Sequence, residues 1–126
     1  VTDTYFNNKK SKNDTTQYNF NGQTLGKGPL VLAVIKLHVE NNSESTFSSL
    51  EAQFPKSIRG SDGVFDTIES ANEKYARNNK KKHFINPEDQ IKLQDSTIAV
   101  SNQWTTSTIK PFISVAKELG YEINSI

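Results

Sequence analysis

The sequence contains no cysteine, and this absence excludes several classes of protein. Disulfide scaffolds, thiolate catalysis and cysteine-based zinc sites all require that residue. No stretch of this sequence has the pattern of a secretory signal peptide, and no apolar run reaches the roughly 20 residues that span a bilayer. These absences together favour a cytoplasmic protein. The chain begins with Val1 rather than Met, so we expect it to be a piece of a longer protein.

Arginine is scarce, since Arg59 and Arg77 are the only two among 15 basic residues. Arginine is the preferred bidentate reader of guanine and phosphate, so base readout by many guanidinium groups is excluded. The formal net charge is +1. Any argument for nucleic-acid binding therefore depends on local clusters of charge. The richness in lysine and asparagine is equally compatible with an AT-rich genome.

Apolar residues are also few, at 33% of the chain with a mean hydropathy of -0.66. The polar excess is concentrated near the start, so the remainder can still form a small core. Residues 1–16 show no periodicity and predict a flexible arm or linker. We expect residues 17–126 to form a single domain, as the length of 126 residues allows.

The longest apolar run, residues 28–42, predicts a central helix. Pro29 suits the first helical position, and Leu30, Val31, Val34 and Ile35 form one helical stripe. The hydrophobic pattern predicts further elements around this helix: a hairpin at 18–25, helices near 46–54, 67–78 and 109–119, short strands at 64–65 and 84–85, a hairpin at 91–101, and a returning strand at 121–123.

Local signals predict where these elements turn or end. Asn21-Gly22 is typical of a type I′ turn. Thr46 is predicted to cap the second helix and Thr108 the last one, with Gly120 at the end of the last helix. Asp66 with Glu69 predicts a capping box for the third helix. Two apolar side chains near helix ends are expected to face the core: Tyr75 and Leu119.

The predicted element order indicates the fold class. Three helices followed by a two-stranded hairpin is the order of a winged helix. The first two helices, joined by a short polar turn, resemble the opening of a helix-turn-helix. We therefore predict an α+β, winged-helix-like domain with three helices, a C-terminal β-hairpin and a further helix. A general α+β sandwich is the alternative.

Basic side chains concentrate at the end of the predicted third helix and just beyond it. Only Glu73 opposes them in that window. Such a cluster can contact phosphates, although a lysine run is often a solvated loop that also complements the helix dipole. Lys56 and Arg59, after the second helix, would support the same contact. The predicted phosphate contacts are Lys56, Arg59, Lys74, Arg77, Lys80, Lys81 and Lys82.

The stretch Asn102-Gln103-Trp104 completes the candidate nucleic-acid-binding set. Amide side chains can bond adenine bidentately, and an exposed tryptophan can stack on an unpaired base. The alternative is that Trp104 fills the junction between the second hairpin and the last helix. Gly26-Lys27-Gly28, before the central helix, can hold an anion, but it lacks the spacing of a phosphate loop.

No catalytic or metal motif stands out. His38 and His83 have no partner at metal-ligand spacing, and no serine lies in a G-x-S-x-G motif. The one nuclease-like fragment is 89–92 with Asp62 upstream. Its acid-x-Lys position holds Gln90, which cannot supply the metal-binding carboxylate. We therefore expect no enzyme, no metal site and no cofactor.

Three segments resemble a known kind of domain: Phe20-Asn-Gly-Gln-Thr-Leu-Gly-Lys-Gly28 with Leu30–Val34, Ile98–Trp104, and Ala116–Tyr121. The chain resembles, over about residues 17–124, a small accessory domain of bacterial and phage proteins of the restriction or defence type. The resemblance implies a bacterial, restriction-modification-linked role beside nucleic acid and transfers no functional residue.

The sequence therefore predicts a non-catalytic DNA-binding or DNA-targeting accessory domain of a larger bacterial protein. DNA is the expected partner, together with other domains of the parent protein, and no membrane is involved. The alternative is a protein–protein interaction module in a multi-domain assembly. An exposed apolar patch would favour that alternative.

Overall fold

The computed structural model describes residues 16–60 and 63–125, and within them the chain is an α+β domain. The predicted arm therefore lies, except for Thr16, outside the described residues. The helices are α1 (Lys27–Asn41), α2 (Phe47–Gln53), α3 (Ile68–Asn78) and α4 (Thr106–Glu118), with 3₁₀ turns at Lys56–Ile58 and Pro87–Asp89. The strands are β1 (Tyr18–Phe20), β2 (Gln23–Leu25), β3 (Phe65–Thr67), β4 (Ile91–Lys92), β5 (Thr97–Val100) and β6 (Asn124–Ser125).

The first sheet joins the two ends of the described chain. Its antiparallel order is β2-β1-β6, with β1 in the centre. Asn21 and Gly22 both have positive φ, at 53° and 80°, which confirms the predicted turn. The returning strand is Asn124–Ser125, a little later than expected, and it pairs with β1 of the first hairpin.

The second sheet has β5 in the centre, between β3 and β4. Phe65 lies opposite Val100, and Asp66 lies opposite Ala99. Because side chains alternate along a strand, Phe65 and Val100 face the main core, whereas Asp66 turns towards α3 and hydrogen-bonds Ser70 there. The α+β class is confirmed. The strand expected at 64–65 is β3, one to two residues later, and it pairs with β5 of the second hairpin. The hairpin is therefore part of a three-stranded sheet, and the observed order of helices and strands differs somewhat from three helices followed by a two-stranded hairpin.

Helix α1 is the centre of the core, as its sequence predicts. Leu30, Val31, Val34 and Ile35 are completely buried, and they belong to one apolar cluster that includes side chains of both sheets and of α4. No helix in the described part of the chain has the length and apolar character needed to cross a membrane.

Threonine caps define where three of the helices begin. Thr46 caps α2 as predicted, and its hydroxyl accepts from the Ser49 N–H in a capping box. Helix α4 begins three residues earlier than expected, because Thr105 is the cap and Thr108 is the third residue of its capping box. Helix α3 is capped by Thr67 instead of Asp66.

Two side chains expected in the core are exposed. Tyr75 is 41% exposed and Leu119 is 38% exposed. Tyr75 lies in the second half of α3, one turn beyond Ala71, the buried residue of that helix. Leu119 is the C-cap of α4, after the last turn that packs on the core. The predicted strand at 84–85 is also absent, because the ladder there is reduced to one bridge between His83 and Ser101.

Candidate nucleic-acid interface

At one end of the second sheet, one loop lies on each side of the central strand, β5. The chain leaves β5 as residues 101–103. On one side, the Asn102 N–H donates to the Lys82 carbonyl at 3.0 Å, and on the other the Ser101 N–H donates to the Val64 carbonyl at 2.9 Å. The two flanking segments are therefore about 10 Å apart, which is two strand spacings.

The loop after α2 contributes Lys56 and Arg59 on the Val64 side. Arg59 Nε donates to the Gln103 carbonyl at 2.7 Å, and its Nη1 donates to the Gly63 carbonyl at 3.2 Å. The stem of Lys56 lies against Gly63, where a Cβ would come within 3.0 Å of Lys56 Cγ. These contacts fix both cations beside the end of the central strand.

The lysine run, residues 80–82, lies on the other side of the central strand, next to Asn102. Lys80 and Lys81 are exposed and Lys82 is half-buried. Lys81 Nζ donates to Asn86 Oδ1 at 3.0 Å, while the Lys81 carbonyl accepts from Asn102 Nδ2 at 3.2 Å. The backbone of the run is thus held against the sheet, and the side chains of Lys80 and Lys81 remain exposed.

The N-terminus of α1 lies at the same end. A Cβ at Gly28 would come within 3.1 Å of the Phe84 ring and 3.7 Å of the Asn102 carbonyl oxygen, so any larger residue would require the Phe84 ring to shift by a few tenths of an ångström. The cap, Gly26, makes no side-chain hydrogen bond, and the first turn has no acidic residue. The positive end of the α1 dipole therefore adds to the local charge. Lys27, absent from the predicted contacts, belongs here.

We call this surface the basic end, and its residues are Lys27, Lys56, Arg59, Lys80, Lys81 and Lys82. Most of the stretches that meet there contain no acidic residue, and Asp62, between Arg59 and Gly63 in sequence, lies outside the described residues. Residues 16–39, 52–60, 74–87 and 96–117 contain no Asp or Glu, and the first three of these ranges hold all six basic-end residues. Within the described residues, the basic end therefore creates a positive field that no adjacent carboxylate in these stretches cancels.

No described contact brings the other two predicted phosphate contacts, Lys74 and Arg77, to residues 101–103. Arg77 is exposed in the last turn of α3. Lys74 Nζ contacts Asp66 Oδ2 at 2.8 Å. Burial favours the neutral form of Asp66, but hydrogen bonds from Lys74, Ser70 and the Thr67 N–H outweigh it and hold the pKa of Asp66 below its ordinary 3.8. The ion pair reduces the charge that Lys74 offers to a polyanion.

The polar residues 102–104 lie in the basic end, but their side chains bond within the protein. Asn102 bonds the Lys81 backbone, and Gln103 Nε2 donates to Asn102 Oδ1 at 2.6 Å. Trp104 Nε1 donates to the Ser101 carbonyl at 2.8 Å, and its half-buried ring packs against Phe112 with centroids 5.5 Å apart. This geometry favours the junction-filling interpretation of Trp104.

The opposite end of α1 has a different chemistry. His38 is 5% exposed, and its Nε2 donates to Gln53 Oε1 while its Nδ1 accepts from the Tyr121 hydroxyl at 2.8 Å. The rings of Phe54 and Tyr121 pack edge-on against His38. Burial raises the pKa of Tyr121 above its ordinary 10.0, and a hydrogen bond with Asn41 opposes that shift.

The tip of the second hairpin is fastened at that opposite end. The Gln94 N–H donates to the Ser45 carbonyl at 2.9 Å, and the Phe47 N–H donates to Asp95 Oδ1 at 3.0 Å. Glu40, Glu44 and Asp95 belong to this part of the chain. We call the part that carries Glu40, Glu44 and Asp95 the acidic end, and Lys36 and Lys92 lie beside Glu40 there.

The fragments considered for catalysis do not converge on a site. The described residues contain no group of three or more His, Asp or Glu side chains that could hold a metal ion. Asp62, part of the nuclease-like fragment, lies outside the described residues. Gln90 donates its amide to the Ile85 carbonyl at 3.0 Å.

Comparison of the chain with protein-family models, with curated proteins and with solved structures finds no match in any of the three. The functional argument therefore rests on the geometry and charge described above.

Proposed function

We propose that this domain binds DNA through its basic end, as a non-catalytic DNA-binding or DNA-targeting accessory domain of a larger bacterial protein. One observation carries the proposal. The fold gathers cations from three separate stretches around residues 101–103, and none of those stretches contains a carboxylate among its described residues. The resemblance to accessory domains of restriction- or defence-type proteins supports the same partner.

The chemistry of the basic end favours contacts with phosphates over contacts with bases. Its cations are mainly lysines, which act as point charges on phosphate oxygens. Arg59 uses two of its donors on backbone carbonyls, and Asn102 and Gln103 bond each other. Phosphate contacts position a protein without reading sequence. We therefore expect sequence-tolerant binding that weakens steeply with salt.

The proposal keeps the comparison with a winged helix but places the DNA contact on a surface other than the tip of the wing. In such a domain the hairpin β4–β5 would be the wing. Its tip carries Asp95, and both Gln94 and Asp95 bond the turn between α1 and α2. This tip carries a negative charge and is already hydrogen-bonded within the domain, so it is a poor contact for the phosphate backbone of DNA. We place the DNA contact at the base of this hairpin, where the basic end lies.

The test is the binding of dye-labelled double-stranded and single-stranded DNA, followed by anisotropy at several salt concentrations. The variant K80E/K81E reverses two exposed charges of the basic end. The matched control K92E/K117E reverses two exposed lysines outside it, with the same change in net charge. Loss of two phosphate contacts should weaken binding to all sequences and reduce the salt slope by about one per lysine.

The control separates a surface from a simple effect of net charge. If K80E/K81E loses affinity and K92E/K117E retains it, the basic end is the contact surface. Equal losses in both variants would mean attraction by net charge alone and would overturn the proposal. Binding that does not depend on salt, or no binding to either form of DNA at low salt, would also overturn it.

A further inference from the structure

The tip of the first hairpin is the one place in this sequence where an asparagine directly precedes a glycine. Asn21 and Gly22 are both exposed, and they form the turn between β1 and β2 with φ angles of 53° and 80°. A Cβ added to Gly22 would have no atom within 4 Å, so the space around this residue is open. Water and base can therefore reach the pair.

The side-chain amide of Asn21 is not engaged elsewhere. Within residues 16–60 and 63–125 it makes no hydrogen bond. Other asparagines do: Asn19 Oδ1 accepts from the Thr24 hydroxyl at 3.2 Å, and Asn42 Nδ2 donates to the His38 carbonyl at 2.8 Å. Rotation of the Asn21 side chain towards the backbone N–H that follows it therefore breaks no hydrogen bond.

The residue after Asn21 determines what this amide can do. The Gly22 nitrogen, when base removes its proton, can attack Asn21 Cγ. The new C–N bond closes a five-membered succinimide ring, and ammonia leaves. Water then opens the ring at either of its two carbonyls, which leaves aspartate or isoaspartate where asparagine stood. Glycine favours ring closure, because it has no side chain to obstruct the approach and has the widest range of backbone torsions.

Local opening of the hairpin is the step that the fold controls. Ring closure needs backbone torsions other than those of a type I′ turn, so the turn has to loosen first. Strand β2 has only three residues, lies at the edge of its sheet, and exposes Gln23 and Thr24. Elements with few buried side chains open at a small cost in free energy. The tip can therefore loosen without unfolding of the core.

We propose that Asn21 is a site of spontaneous deamidation in the folded domain, with water as the co-reactant. Aspartate at this position preserves the turn, because Asp-Gly also suits type I′. Isoaspartate inserts a main-chain carbon and disturbs the pairing of Phe20 with Gln23. Since β1 also pairs with β6, isoaspartate should destabilise the whole first sheet. The proposal does not depend on DNA binding at the basic end.

The test incubates the folded full chain in mildly alkaline buffer and follows each asparagine by peptide mapping and mass spectrometry. Fragmentation by electron transfer distinguishes isoaspartate from aspartate. We expect Asn21 to convert before any other described asparagine, with isoaspartate among its products. Asn42 is the internal reference, because a serine follows it and its amide is hydrogen-bonded. The same chain unfolded in urea gives the rate without the fold.

Two variants connect the chemistry with stability. Asn21→Gly has no amide to lose and keeps a dipeptide suited to the turn, so its Tm should not change during incubation. The unsubstituted chain should develop a second population with a lower Tm. Fresh Asn21→Asp should melt close to the unmodified chain, which assigns the lower Tm to isoaspartate.

Three results would overturn the proposal. The first is an intact Asn21 in the folded chain after the urea-unfolded chain has converted. The second is conversion of Asn42 ahead of Asn21. The third is a population of lower Tm that also forms in Asn21→Gly, because the loss of stability would then arise at another position.

Discussion

The two ends of α1 are held by different kinds of interaction. At the acidic end, His38, Gln53 and Tyr121 form a chain of side-chain hydrogen bonds around a buried imidazole. At the basic end, most of the bonds that hold the loops use backbone carbonyls, as with Arg59 to Gln103 and Asn102 to Lys82. The first network holds a buried imidazole in place, whereas the backbone bonds at the basic end leave the side chains of Lys80 and Lys81 exposed. The difference is the one expected if the acidic end is structural and the basic end has the proposed binding role.

The largest loss of stability is expected for substitution of Phe112, because this side chain packs against residues from both ends of the domain. Phe112 is completely buried and lies between Phe54, stacked at 5.5 Å, and Trp104, also at 5.5 Å. Phe112→Ala should reduce the free energy of unfolding by about 3–5 kcal/mol, measured by urea denaturation. It should also weaken DNA binding, because Trp104 loses its support. A loss of stability below about 1 kcal/mol would contradict this packing.

Tyr121→Phe acts on the acidic end alone. It removes the hydroxyl that donates to His38 Nδ1 and leaves a buried nitrogen without that bond. We expect a loss of about 2 kcal/mol in the free energy of unfolding. DNA affinity should not change at any salt concentration. A change in affinity without a change in stability would show that the two ends are not separate in function.

The two capping boxes offer a matched pair of changes. Thr46 caps α2 at the acidic end, and Thr105 caps α4 beside the basic end. Thr46→Ala and Thr105→Ala should each cost about 1 kcal/mol in unfolding free energy, read from thermal melts. Only Thr105→Ala should weaken DNA binding, because it loosens the start of α4 next to Gln103. Equal effects on DNA would contradict that division.

The smallest effect concerns the pair between Asp66 and Lys74. The pKa of Asp66 is lower in the folded chain than the ordinary 3.8. Its carboxylate therefore stabilises the fold above about pH 4, and this contribution is lost as pH falls through the folded pKa. Because both side chains are partly exposed, Asp66→Asn should cost less than about 1 kcal/mol at neutral pH.

Asp66→Asn should also flatten the acid limb of the stability–pH curve and strengthen DNA binding slightly, since Lys74 loses its opposing charge. Urea denaturation at a series of pH values measures the first effect. An acid limb that matches the unsubstituted chain would show that Asp66 does not contribute in this range.

The helices and turns could be predicted from local sequence signals. The apolar stripe of α1, the Asn21-Gly22 turn and the Thr46 cap each depend on a few neighbouring residues, and the structure confirms all three. Gly120 also ends α4 as predicted, with a φ of 101°. These features follow from backbone geometry that a short stretch determines by itself.

The basic end could be predicted only in part, because its residues are distant in sequence. The run 80–82 stood out by composition. The contact of Arg59 with residue 103 and the place of Lys27 depend on how β5 pairs with its neighbours. Lys74 was included with the cluster because sequence does not show that Asp66, eight residues earlier, turns towards the same helix. Side-chain pairing across a strand and a helix requires the fold.

The position of Trp104 also gives the molecule an intrinsic optical reporter. It is the chain's one tryptophan, and its ring spans the boundary between the core, at Phe112, and the basic end, at residues 101–103. Indole emission responds to the polarity and mobility of its surroundings. Selective excitation of this ring therefore reports on a single location. Loosening of the core should shift the emission wavelength, and a polyanion bound beside the ring should change the emission intensity.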